Sequence, residues 1–141
     1  MKKKIFFVIW ADPKFYQTLI FLAQHLSENN CEVNIICKKP RIEEDIIESF
    51  NFGKNTKVCF YPFNINFLPN FINFIGFSFF CCFQYLLYGP EKIIFFNKFS
   101  LLCLALIRFF KKKNSKFIYH NFDFEDPSTL KSIKEKILFK L

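Results

Sequence analysis

A histidine and three carboxylates lie close together in the C-terminal part of the sequence, within the segment YHNFDFED. His120 ends a short apolar run, and Asp123 and Glu125 follow it within five residues. Histidine titrates near neutral pH, so at the end of a strand it could accept a proton from a substrate hydroxyl or orient that hydroxyl. The alternative is a surface histidine at a strand end, and spacing alone leaves both interpretations open. His25 lies within a predicted helix and fits a structural or solvated role.

The sequence lacks the glycine-rich loops on which common phosphate-binding sites depend. It contains only three glycines, and none forms a Gly-x-Gly-x-x-Gly or Gly-x-x-x-x-Gly-Lys pattern. It also contains no Gly-x-Ser-x-Gly sequence around a candidate nucleophile. These observations argue against dinucleotide-binding enzymes, P-loop enzymes and serine hydrolases.

The spacing of the cysteines argues against metal and disulfide chemistry. The six cysteines include no Cys-x-x-Cys pair, and none lies within five residues of His25 or His120. We therefore expect no metal site, no disulfide framework and no cofactor.

The basic N-terminus is followed by an apolar run that stops at Trp10 without a cleavage site, which predicts a cytoplasmic protein. The net charge of +8 favours anionic partners, but the sequence offers no zinc finger, no RNP-like aromatic strand and no Gly-x-x-Gly loop, which argues against nucleic acid.

The elements that must position these residues alternate between strands and helices. Ile5 to Trp10 is a run of β-branched and aromatic residues, typical of a strand buried on both faces, and Asp12-Pro13 then caps a helix. Further strands are predicted over 32–37, 56–61, 92–97 and 116–120, and helices over 13–28, 42–50, 67–88, 99–110 and 128–141. This alternation predicts one α/β domain over residues 1–141, a doubly wound, Rossmann-like parallel sheet of five strands in the order 3-2-1-4-5.

The predicted strand order also places the loops that could form a binding site. It puts the first strand beside the fourth, at the point where the winding of the sheet reverses. Ligands of open α/β sheets bind outside the carboxyl ends of the strands at such a point. We therefore expect the loops 10–17, 97–100 and 120–126 to meet at one edge of the sheet.

The segment from Phe71 to Tyr88 contains 18 residues without a charge, the lower limit for a helix that spans a membrane. A helix of this length covers only about 27 Å, barely the hydrocarbon thickness. A span would also place strands of one sheet on opposite sides of a bilayer and expose their edges. We therefore expect a helix that is buried in the domain or lies on a membrane surface.

Two long stretches resemble the N-terminal domain of family 4-type glycosyltransferases, which are two-domain enzymes of the GT-B fold. KKIFFVIWADPKFYQTLIFLAQHLSENNCEVNIICKK is similar to the opening strand and helix of that family and to its "Gly-His-Glu-Val" strand. PEKIIFFNKFSLLCLALIRFFKKKNSKFIYHNFDFEDP is similar to its "Pro-Asp-Val-Ile-His-Ala-His" strand, apolar helix and "Tyr-Asp-x-His-Glu" strand end. The resemblance covers nearly the whole chain and implies one half of a GT-B architecture.

The resemblance also implies roles for individual residues. In one register His120 occupies the position of the family's histidine after the fifth strand; in the other, Tyr119 matches the tyrosine and Asp123 the glutamate. From these two registers, the resemblance implies that His120 and Asp123 are the candidate catalytic residues. The candidate acceptor-binding residues are Asp12, Lys14, Asn97 and Glu125. The sequence departs from the family where Ala11-Asp12-Pro13-Lys14 replaces a glycine-rich loop and Asn97-Lys98 replaces paired histidines.

Two functions follow from the resemblance. The first is the acceptor-binding half of a glycosyltransferase that transfers a sugar from a nucleotide-sugar to a lipid-linked or cell-envelope glycan. Its partner would be the nucleotide-sugar-binding domain or subunit, which is absent here, so we expect a truncated chain or one completed by a second polypeptide. The second is a non-catalytic subunit that recruits a catalytic partner to a membrane. Both imply a cytoplasmic location at the inner face of the membrane, with peripheral membrane contact.

Overall fold

The structure of the protein is a computed structural model that describes residues 2–38, 51–63, 69–97, 99–110 and 115–120. The helices predicted over 42–50 and 128–141 lie outside these described residues, and so does the loop with Asp123 and Glu125.

The described residues form a five-stranded parallel sheet with helices on both faces. The strands are Lys3–Ile9 (β1), Cys31–Lys38 (β2), Thr56–Tyr61 (β3), Lys92–Phe95 (β4) and Lys116–Tyr119 (β5). The helices are Gln17–Glu28 (α1), Asn70–Tyr88 (α2) and Ser100–Phe109 (α3). The strand order is β3-β2-β1-β4-β5, and every neighbouring pair is parallel. The predicted Rossmann-like α/β fold and its strand order are confirmed.

The central strand β1 contributes side chains to the hydrophobic cores on both faces of the sheet, because helices cover both of its faces. Its residues from Ile5 to Ile9 are all buried. Ile5, Phe7 and Ile9 pack with α1, whereas Phe6 and Val8 pack with α2 and α3. A strand covered on both faces has no polar alternation, which explains the continuous apolar run in the sequence.

The start of the first helix differs from the prediction. Instead of one helix from Pro13, the structure has a 3-10 turn over Pro13–Phe15 and then α1 from Gln17. Asp12 Oδ1 accepts a hydrogen bond from the backbone N–H of Lys14 at 3.1 Å, which holds the tight turn. Tyr16 has φ −114° and ψ 81°, a conformation outside the helical region, so it separates the turn from the helix.

The predicted helix ends are confirmed where left-handed residues occur. Asn30 has φ 59° just after α1. Gly89 has φ 55° after α2, and its N–H donates to the carbonyl of Tyr85 at 2.9 Å. This geometry satisfies a helix-end carbonyl and favours glycine, so the chain can turn from α2 into β4.

Helix α2 approaches the sheet closely because of a glycine and is joined to β5 by a buried hydrogen-bond chain. A Cβ on Gly76 would overlap the hydroxyl of Tyr61 on β3, so only glycine leaves room for that ring. Further along α2, the buried Tyr85 hydroxyl donates to Ser115 Oγ at 3.1 Å. Ser115 Oγ in turn donates to the carbonyl of Pro90 at 2.9 Å. These contacts join α2 to the starts of β4 and β5.

We expect Tyr85→Phe to lower the free energy of unfolding by about 1 kcal/mol, because it removes one buried hydrogen bond without changing the packing of the ring. The matched control is Tyr88→Phe, since Tyr88 lies on the same helix with 45% of its surface exposed. Urea denaturation followed by circular dichroism measures both variants. Equal stability of the two variants would contradict a stabilising role for this hydrogen-bond chain.

Candidate functional site

The carboxyl ends of β1, β4 and β5 lie side by side, as predicted. The N–H of Phe96 donates to the carbonyl of Val8 at 3.0 Å, and the N–H of His120 donates to the carbonyl of Phe95 at 2.8 Å. Neighbouring strands are about 4.8 Å apart, so the chain positions of Ile9, Phe96 and His120 form one row across about 10 Å. The loops that follow β1 and β4 therefore leave the sheet beside His120. We call this carboxyl edge of β1, β4 and β5 the candidate site.

Asp12 and Lys14 form a local ion pair in the loop that follows β1. Lys14 Nζ lies 3.4 Å from Asp12 Oδ2 and 5.1 Å from the centroid of the exposed Phe15 ring. Since the other carboxylate oxygen of Asp12 holds the 3-10 turn, Asp12 already has two local structural contacts. Lys14 is the more available of the two predicted acceptor-binding residues in this loop, because less of its side chain is buried.

A tryptophan and a lysine beside this loop were not predicted individually as site residues. Lys38, at the end of β2, places its Nζ 4.8 Å from the centroid of the Trp10 ring. The Trp10 ring also packs against Phe74 and Phe77 of α2, with centroid separations of 5.4 Å and 4.9 Å. An aromatic face with a cation beside it can bind the apolar face of a sugar ring or an anionic group. The predicted strand order could have placed Lys38 near Trp10, because it puts the carboxyl end of β2 next to that of β1.

Cys37 lies near this loop but remains a neutral thiol. Burial, followed by the nearby negative charge of Asp12, raises the pKa of the Cys37 thiol well above its ordinary value. The thiolate is the nucleophilic form of cysteine, so a raised pKa makes Cys37 a poor nucleophile. Its role is therefore packing in the core beneath the candidate site.

Asn97 lies just before helix α3 and bonds to Ser100, the first residue of that helix. Its Oδ1 accepts a hydrogen bond from the backbone N–H of Ser100 at 2.8 Å, and the N–H of Asn97 donates to Ser100 Oγ at 3.2 Å. This reciprocal pattern satisfies two backbone donors at the start of the helix. The Oδ1 atom of Asn97 is thus engaged in structure, which leaves its amide nitrogen as the group that could contact an acceptor.

His120 occupies the end of β5 in a half-buried position. Its ring stacks on Phe96, with 5.8 Å between centroids and 15° between ring planes. This contact fixes the ring plane relative to the row of strand ends. Asp123 and Glu125 lie outside the described residues, so their roles stay predictions.

Among the described side chains, no group of three or more metal-binding residues converges. The arrangement at the candidate site offers a histidine, a lysine beside a carboxylate, and an aromatic ring beside a second lysine. These groups suit the binding of a hydroxylated or anionic ligand and proton transfer from one of its hydroxyls.

Comparison with known proteins supports the fold. No known protein family and no curated protein matches the chain. Among solved structures, the chain is similar to the apo form of a lipopolysaccharide outer core galactosyltransferase, WaaB, with a TM-score of 0.56 and 19% sequence identity. The match covers 84% of this chain and 33% of that protein, so the chain spans about a third of its length. At this identity the similarity shows a glycosyltransferase-like fold, while membership of family 4 stays a prediction.

We expect Asn97→Ala to destabilise the protein by about 1 kcal/mol, because the N–H of Ser100 at the start of α3 loses the side-chain oxygen that caps it. Asn97→Asp keeps an acceptor oxygen at the same position and should retain most of that stability. Urea denaturation of the two variants measures the difference. If both variants are as stable as the wild type, the cap contributes nothing, and ligand contact becomes the better account of Asn97.

Proposed function

We propose that this chain is the acceptor-binding half of a glycosyltransferase, transferring a sugar from a nucleotide-sugar to a lipid-linked or cell-envelope glycan. The observation that carries the proposal is the row formed by the carboxyl ends of β1, β4 and β5, in a fold similar to that of a lipopolysaccharide galactosyltransferase. Parallel α/β sheets bind ligands at this edge.

His120 is the proposed base at the acceptor hydroxyl. In the transfer, the acceptor oxygen forms a bond to the anomeric carbon while the bond from that carbon to the phosphate oxygen breaks. The hydroxyl proton passes to His120, and the nucleoside diphosphate leaves. Asp123 would hold the imidazole or the same hydroxyl, while Lys14, Asn97 and Glu125 would bind the rest of the acceptor. A positioned base of this kind accelerates proton transfer by about 100-fold to 10,000-fold.

The nucleotide-sugar would be held by a second domain or subunit. This chain has no glycine-rich phosphate loop, and a half-site at one sheet edge needs an opposing wall to exclude water. We place the complex in the cytoplasm, at the inner face of the membrane. The six cysteines, all free thiols, support a reducing compartment.

A second candidate function is a non-catalytic subunit that recruits a catalytic partner to a membrane. The apolar helix α2 favours this function, because much of its surface is exposed although it carries no charge. The two candidates share the acceptor edge and the partner, and they differ in whether His120 takes part in the reaction.

The test is a transfer assay on the tagged chain isolated from its source cells together with its bound partner. Labelled nucleotide-sugars serve as donors and a membrane lipid extract as the acceptor. We expect His120→Ala to lower the transfer rate by about 100-fold or more. The matched control is His25→Ala, since His25 is exposed near the end of α1, away from the carboxyl edge, and should leave the rate unchanged.

The results separate the alternatives. Unchanged transfer by the His120→Ala complex would contradict the catalytic assignment and favour the recruiting subunit. Transfer by the purified 141-residue chain without any partner would contradict both candidates.

A further inference from the structure

Helix α2 is apolar on every side, and only one of its sides is covered. The side toward the sheet is buried through Phe77, Cys81 and Tyr85. The opposite side exposes eight large apolar side chains, including Phe79 and Phe83. No residue of this 19-residue helix is charged, and its length of about 28 Å presents a continuous apolar strip.

The neighbouring helix α3 extends this surface. Leu102 and Phe109 are exposed on α3, and Phe109 has 85% of its surface exposed. The helices contact each other on the same face of the sheet, where Ser78 Oγ lies 3.4 Å from Cys103 Sγ. We call the exposed side chains of α2 and α3 together the apolar outer face.

The helix on the opposite face of the sheet shows how much exposed apolar surface the fold itself requires. Helix α1 covers this face and exposes mainly polar residues, with Phe21 as its one large exposed apolar side chain. Both layers bury an equivalent stripe against the sheet, so packing of the core does not require the phenylalanines on the outside of α2. An exposed apolar surface of this extent marks an interaction site.

We propose that the apolar outer face docks on an anionic lipid bilayer, with α2 lying along the membrane surface. Interfacial helices bind by inserting an apolar face to the depth of the headgroup and acyl boundary, and cations beside that face attract anionic lipid. The net charge of +8 supplies this attraction, and the exposed Arg108 lies on α3 itself. Lys111, Lys112 and Lys113 come after Phe110, the residue that follows α3, in the sequence.

Charge argues for a bilayer over a second copy of the chain. A symmetric dimer through this face would bring together two chains that each carry +8, whereas anionic lipid neutralises that charge.

Length and composition alone would allow α2 to cross a membrane, but its packing opposes that arrangement. The strands on either side of α2, β3 and β4, belong to the same sheet. Crossing would remove Phe77, Cys81 and Tyr85 from the core and place β3 and β4 on opposite sides of the bilayer. Docking along the surface leaves these contacts intact.

The apolar outer face also adjoins the candidate site. Since α2 follows β3, its first turns lie at the carboxyl edge, where Phe74 packs 5.4 Å from the Trp10 ring. A lipid-linked acceptor could keep its lipid in the bilayer while its glycan reaches Trp10 and Lys14. This path for the acceptor rests on the proposed function, whereas the membrane contact does not.

Vesicle flotation of the full-length chain tests the docking without any sugar donor or acceptor. We expect the wild type to float with vesicles of phosphatidylcholine and phosphatidylglycerol, and less with phosphatidylcholine alone. Phe79→Glu combined with Phe83→Glu should lower the bound fraction at least about tenfold, because two apolar contacts are replaced by charges. Phe21→Glu is the matched control, since Phe21 is 64% exposed and Phe79 61% exposed. It should float like the wild type.

Three outcomes would overturn the proposal. The first is that the wild type does not float, or that all variants float equally. If the double variant does not fold, Phe109→Glu is compared with Phe21→Glu instead. The second is a wild-type dimer in light scattering that the double variant abolishes, without vesicle binding, which would assign the face to a second copy. The third is retention in membranes after a carbonate wash, which would indicate a spanning segment. Failure of flotation would leave the transfer assay with His120→Ala unaffected, so the two proposals can fail separately.

Discussion

The fold depends on the burial of β1 on both of its faces. Ile5 to Ile9 contribute alternately to two cores, so α1 must cover one side and α2 with α3 the other. The same strand pairs with β2 on one edge and β4 on the other, which makes its carboxyl end the point where the winding reverses. The position of the candidate site therefore follows from the burial of a single strand.

The two helix layers differ in the chemistry of their outer surfaces. Helix α1 is amphipathic and faces water with polar residues. Helix α2 is held to the sheet by Gly76, Tyr85 and a buried stripe, yet it is apolar on its outside as well. The core thus accounts for the buried stripe of α2, and the membrane contact that we propose would account for its exposed apolar side chains.

The sequence pattern predicted the strand order because continuous apolar strands and helical periodicity are strong, local signals. It placed the first helix too early, since Asp12-Pro13 favours a 3-10 turn as well as a helix, and only the conformation of Tyr16 distinguishes them. The pairing of Lys38 with Trp10 and the capping by Asn97 depend on contacts between segments or on side-chain orientation. Spacing does not encode such contacts, so the sequence could predict which strand ends lie together but not the contacts that each side chain makes there.

The most direct test of the central claim is the nuclear magnetic resonance spectrum of the ¹⁵N-labelled chain titrated with soluble cell-envelope oligosaccharides. If the carboxyl edge of β1, β4 and β5 receives a glycan acceptor, amide shifts should change at Trp10, Ala11, Asp12 and Lys14, at Asn97 and at His120. The amides of His25 and Glu28, near the end of α1, should not move. Shift changes confined to other surfaces, or none with any oligosaccharide, would contradict the account.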